Sequence, residues 1–138
     1  MEQVDFDFKY FKLPQEEKQK IIEQIKELLI YDKNILFAFV HGSFLRETPF
    51  RDIDVALFLS RGNPFNYVIK KSVYLETHIG YPIDVHILNE APITFEYYVV
   101  TEGKLLFTRN KMQSDMYILV TQKKYLDFII LRKHTIGF

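Results

Sequence analysis

Apolar positions Ile21, Ile22, Ile25, Leu28 and Leu29 recur every three or four residues, the spacing of one helical face. They predict a helix over 14–30. Pro14 suits its first position, and Glu16 and Glu17 lie where the helix dipole favours anions. The period then changes. ILFAFV, Ile35 to Val40, is a short apolar run between Asn34 and Gly42 and predicts a strand buried on both faces. A short helical turn is expected after Ser43, ended by Pro49. Asp52 to Leu59 predicts a second strand, and Gly62, Asn63 and Pro64 a turn. Phe65 to Thr77 predicts a helix with Phe65, Val68, Ile69 and Val73 as its buried set. After a turn at Gly80 to Pro82, Ile83 to Leu88 predicts a third strand. Pro92 to Glu102 reads as a helix ended by Gly103. Leu105 to Phe107 reads as a short strand. Lys111 to about Lys133 reads as a last helix, with Met112, Met116, Leu119, Leu126 and Ile130 near one face.

This order predicts an α/β (α+β) domain with a small sheet. The link between the first two strands is too short for a parallel crossover, so an antiparallel or mixed sheet is expected. The chain has 138 residues and shows no repeat, low-complexity tract or linker. One domain over 1–138 is expected, with its C-terminal helix at about 111–133.

Composition narrows the function. Eighteen basic residues balance eighteen acidic ones, so net charge gives no case for a nucleic-acid or anionic-membrane surface. Cysteine is absent, which excludes disulfides and thiolate metal sites. No apolar run approaches the roughly 20 residues that span a bilayer. MEQVDFDFKYFK, the N-terminus, lacks a secretory pattern. A cytoplasmic protein is expected. Thirteen Phe and nine Tyr suit either a rich core or a partner surface, and composition does not separate the two.

The chemistry concentrates in HGSFLRETPFRDIDVALFL, His41 to Leu59. Side chains alternate along a strand, so Asp52 and Asp54 share a face while Ile53 and Val55 point into the core. Paired carboxylates at the mouth of an apolar strand suit a hard cation such as Mg2+. In YPIDVHIL the third strand repeats the arrangement, with Asp84 and His86 on one face. If that strand lies beside the second, Asp84 completes a cluster of three carboxylates, whose mutual repulsion a metal would relieve. Gly42 permits a sharp turn. Ser43 would open a short helix whose N–H groups and hydroxyl can hold phosphate oxygens.

Gly-Ser, a connector, Asp-x-Asp and a later strand aspartate resemble the nucleotidyltransferase superfamily of polymerase-β-like fold. The short chain resembles its minimal (MNT) branch. EAPITFEYYVVTEGKLLFTRN, Glu90 to Asn110, resembles that branch's usual helix followed by "EG-x-LLF". The resemblance covers most of residues 14–131. It implies that Asp52 and Asp54 bind two Mg2+ ions and that Asp84 serves as metal ligand or general base. It implies that Gly42 and Ser43 hold NTP phosphates, with Arg46 matching the connector's arginine. Three departures stand out, the first being a connector a little shorter than the family's. Glu47 occupies a position where the family commonly has glycine, and Arg51 replaces the usual serine before Asp52. Many MNT proteins, the MntA-type among them, are antitoxins of HEPN ribonucleases and move AMP from ATP onto a toxin tyrosine. The resemblance therefore implies ATP as substrate and a HEPN-type toxin as partner.

Other features are read more plainly. Asp5 and Asp7 in VDFDF form a second D-x-D without an upstream Gly-Ser. His41 and His86 read as packing histidines near the cluster rather than as ligands. Lys123, Lys124, Arg132, Lys133 and His134 read as a solvated helix end. Phe128 to Leu131 is apolar all round and suits either core or a docked partner, hinting at homo- or hetero-oligomers. Competing functions are an antitoxin that acts by binding alone and a small-molecule nucleotidyltransferase, although little chain remains to build an acceptor domain.

Overall fold

The computed structural model describes residues 9–46, 49–61 and 64–135. Asp5, Asp7, Glu47, Gly62 and Asn63 lie outside them. Helix α1 spans Gln15–Ile30, strand β1 Ile35–His41, a 3-10 turn Ser43–Leu45, and β2 Ile53–Leu59. They are followed by α2 Pro64–Ile79, β3 Ile83–Ile87, α3 Ile93–Glu102, β4 Lys104–Thr108 and α4 Lys111–Thr135. The sheet order is β3-β2-β1-β4. β1 pairs antiparallel with β2 and β4, and β2 pairs parallel with β3. The short first connection makes β1 and β2 antiparallel, and α2 carries the parallel crossover from β2 to β3, so the sheet is mixed.

Strand alternation divides the apolar residues between two layers. Val55 and Leu57 of β2, Ala38 and Val40 of β1, and Ile83 and Val85 of β3 pack in the main cluster with Ile21, Ile22, Ile25 and Leu29 of α1 and Leu75 of α2. The opposite parity, Phe37, Phe39 and Ala56, packs with Leu88 and with Val99 of α3. The Phe37 and Phe58 rings stack there with centroids 4.8 Å apart.

Two local expectations, on Asp52 and on the buried face of α2, are corrected, and a third, on α4, is completed. Asp52 does not open β2 but lies in the bend before it. Phe50 is tied to Phe11 by two backbone hydrogen bonds of 2.8 and 3.0 Å, and the ladder to β3 begins only at Ile53, whose N–H donates to the Pro82 carbonyl. On α2, Ile69 and Val73 are exposed, and Leu75 is the fully buried residue. The Phe65 side chain lies outside the described ones. Polar anchors set the rotation of α2: the Tyr67 hydroxyl donates to Asp32, and Lys71 pairs with the same carboxylate at 2.9 Å. On α4, Met112, Met116, Leu119, Leu126 and Ile130 form one face as expected, but that face points to solvent. The inward face holds Ser114 and Thr121. Tyr117 donates to the buried Glu96 at 2.8 Å, and Tyr97 stacks on Tyr125 with centroids 3.8 Å apart. Among the described residues, no helix is long and apolar enough to cross a membrane.

Gly103 closes α3 for a reason of space. A Cβ there would lie 2.4 Å from the Val99 carbonyl oxygen and 3.1 Å from that of Val40. Both are backbone atoms of packed elements and cannot move aside. Gly103→Ala is expected to lower stability by about 1–3 kcal/mol, read as a reduced urea midpoint at unchanged m-value. Ile69→Ser, on the exposed side of α2, should stay within about 0.5 kcal/mol of the parent in the same titration.

Candidate active site

The site is built on a row that crosses three strands. His41 of β1 pairs with Asp54 of β2, and Asp54 pairs with Asp84 of β3. All three side chains share the parity of Phe37, Phe39 and Ala56, away from the main core. His86 lies one pleat further along β3, opposite Ala56. The methyl group of Ala56 leaves the imidazole room to lean back over the row. His86 Nε2 lies 3.2 Å from Asp84 Oδ2 and 3.7 Å from Asp54 Oδ1. One donor atom from each of Asp54, Asp84 and His86 lies within 4.8 Å of the other two. The Asp54 side chain is largely covered, whereas that of Asp84 is 55% exposed.

Asp52 lies outside this group of three but within its electrostatic reach. Burial raises its carboxyl above the ordinary range, and the charges of Asp54 and Asp84 add to the effect. Arg51 and His86 oppose it. The Asp54 carboxylate raises the His86 imidazole against the effect of burial, and Asp84 adds to the rise. His41 moves the other way: burial pushes it down to about 4, so it is neutral at pH 7. His41 is 2% exposed, and neither ring nitrogen has a hydrogen-bond partner. Its ring lies 5.5 Å from that of His86 and 5.5 Å from that of Phe95.

Gly42 carries two constraints. Its φ is +84°, the left-handed region where only glycine is unstrained. A Cβ there would also lie 2.2 Å from Asp54 Oδ2. The backbone is therefore pressed directly against the carboxylate. Ser43 opens the 3-10 turn, Phe44 anchors it in the core, and Arg46 closes it with an exposed side chain. The turn is braced from below by Lys18. This lysine is 3% exposed, donates from Nζ to the Arg46 carbonyl and lies 5.5 Å from the Phe44 and Phe50 ring centres.

The structure thus brings Asp54, Asp84 and Gly42 into contact range, with Asp52 beside them and Ser43 and Arg46 on the adjoining turn. One residue, Lys18, escaped the sequence reading, and His86, expected to pack near the cluster, reaches both of its acids. Lys18 shares the inward helical face with Ile22, Ile25 and Leu29, and that spacing was the available signal. His86 shares strand parity with Asp84, but alternation alone does not say that its ring leans toward Asp54. The donor set of carboxylates and one imidazole, without thiolate, fits a hard or borderline divalent cation. A buried, unpartnered His41 beside it is consistent with a polar occupant.

Comparison with known proteins agrees with this fold. The family model described as Polymerase beta, Nucleotidyltransferase matches residues 23–112, which contain the row, the Gly-Ser turn and the Glu102-Gly103 sequel. No curated protein matches the chain by sequence. Among solved structures, a chain of the MntA–HepT toxin–antitoxin matches with a TM-score of 0.71 at 19% identity, covering 86% of this chain and 96% of that one. A chain from the Shewanella oneidensis complex of tri-AMPylated HEPN toxin with MNT antitoxin matches with a TM-score of 0.72 at 20% identity, covering 87% and 96%. A toxin–antitoxin structure with AMP-PNP matches with a TM-score of 0.71 at 21% identity, covering 83% and 95%. At these identities the likeness concerns the fold, whereas the family match extends over more than half of the chain. The chain belongs to the polymerase beta nucleotidyltransferase family.

Proposed function

We propose that this protein transfers AMP from ATP to a tyrosine hydroxyl of a HEPN-type partner in the cytoplasm and thereby acts as its antitoxin. The observation that carries the chemistry is the parallel register of β2 and β3, which sets Asp54 opposite Asp84 with Gly42 pressed against Asp54. Fold neighbours that contain AMP-PNP or a tri-AMPylated HEPN toxin support the choice of nucleotide and partner.

In this reading Asp52, Asp54 and Asp84 hold two Mg2+ ions. When bound, the ions supply charge neutralisation and lower the pKa of the attacking hydroxyl. The turn from Gly42 to Arg46 holds the triphosphate, with Ser43 supplying its hydroxyl and backbone N–H. The tyrosine oxygen attacks the α-phosphorus, the bond to the β-phosphate oxygen breaks, and pyrophosphate leaves. The hydroxyl proton passes to a carboxylate of the cluster. Asp84 is well placed to take it, because it sits on the open side where an acceptor can approach.

The exposed face of α4 supports docking of a partner. Met112, Met116, Leu119, Leu126 and Ile130 alternate in steps of three, four and seven residues, the spacing of a helix-packing seam.

The test is the intact mass of a HEPN-type partner after incubation with this protein, ATP and Mg2+. One or more AMP additions are expected. Asp54→Asn and Asp84→Asn should each slow transfer roughly 10²–10³-fold, the scale of losing one electrostatic contact at a reacting centre, without lowering the thermal midpoint. Should these variants still neutralise the partner, the protein acts by binding alone.

Gly42→Ala should also slow transfer by about 10²-fold, because the new methyl group displaces the Asp54 carboxylate. The same variant should lose about 1–2 kcal/mol of stability from its positive φ. Leu119→Glu with Leu126→Glu should abolish co-purification of the partner while leaving the unfolding midpoint of the isolated protein unchanged.

A further inference from the structure

We propose that His86 is itself a metal ligand, its Nε2 joining Asp54 and Asp84 in a mixed oxygen–nitrogen set that favours Mn2+ over Mg2+. The inference rests on the metal-site reading above and adds to it a nitrogen donor and a metal preference.

The first argument is geometric. Two donors in adjacent positions of an octahedral ion lie about 3 Å apart when each bond is about 2.1 Å. His86 Nε2 is 3.2 Å from Asp84 Oδ2 and 3.7 Å from Asp54 Oδ1. Small side-chain rotations bring both within that range. The backbone already places the donors: Asp84 and His86 share a strand face two residues apart, and Asp54 is the cross-strand partner of Asp84.

The second argument is that the ring is held. Phe95 lies 5.0 Å from it and His41 lies 5.5 Å from it, centre to centre. Ala56 leaves open the side facing Asp54. A ring packed in this way loses little freedom on ligation. His41 gives an independent sign of an occupant. It is 2% exposed beside this ring and pairs with Asp54 in register, yet both its nitrogens lack a partner.

The third argument is chemical. Mg2+ prefers oxygen donors in strict octahedral geometry, whereas imidazole suits the later divalent ions. One imidazole beside two carboxylates therefore shifts the preference toward Mn2+.

The test uses the full chain with Mn2+ and a non-hydrolysable ATP analogue. Electron spin-echo modulation should show a directly bound imidazole nitrogen, and its signal should change when histidine is labelled with 15N. His86→Gln should remove the coupling, still bind Mn2+ at least several-fold more weakly, and lower the ratio of Mn2+ to Mg2+ affinity. Bound Mn2+ without imidazole coupling in the labelled wild-type protein would overturn His86 ligation while leaving the carboxylate site standing. This spectrum needs no variant to fold. Mn2+ that fails to bind, or that binds equally well to Asp54→Asn/Asp84→Asn, would overturn the metal site itself and this inference with it.

Discussion

Two carboxylates set side by side repel, and the parallel pairing of β2 with β3 allows no other arrangement for Asp54 and Asp84. Much of the surrounding architecture makes that juxtaposition tolerable. The alternation of β2 sends Val55 and Leu57 into the main core and Asp54 to the opposite side. The carboxylates therefore stay clear of the layer that supplies most of the apolar burial. His86 brings a nitrogen against both acids, and Gly42 brings backbone against one of them. Like charges, a facing imidazole and a tightly packed turn are thereby gathered at one end of the sheet.

The two faces of the sheet divide the labour. Helices α1 and α2 cover one face with an aliphatic and aromatic core. The other face begins as an aromatic cluster of Phe37, Phe39, Phe58 and Phe95 and ends in His41, Asp54, Asp84 and His86. The apolar half fixes the polar half, because a one-residue slip in register would exchange them. Lys18 extends the same logic from α1. Its buried ammonium holds the carbonyl that closes the Gly-Ser turn, so a helix on the core side helps position a loop on the chemical side.

Strand alternation made much of this legible before any coordinates. The period-2 pattern around Ile53 and Ile83 predicts which side chains share a face, and the short first connection predicts an antiparallel or mixed sheet. Neither signal fixes the rotation of a helix whose anchors are polar. On α2 the Tyr67 and Lys71 contacts to Asp32 outweigh the exposure of Ile69 and Val73. On α4 the Glu96–Tyr117 hydrogen bond and the Tyr97–Tyr125 stack select the inward face, which leaves the most evenly spaced apolar stripe outside. The face and neighbourhood of His86 follow from strand parity, but its reach to Asp54 depends on its neighbour across the ladder, Ala56, and not on its own strand.

The sheet order leaves β3 at an edge, bonded along one side only. Asp84 and His86 thus ride on one of the sheet's two five-residue edge strands, while Asp54 sits on an interior strand. On β3 only the outward positions Asp84 and His86 are free of the main core, since Ile83 and Val85 are buried in it. The chemistry-bearing positions of β3 and the core positions of β3 are therefore separated by strand parity alone: one face can vary in charge and ring while the other stays apolar.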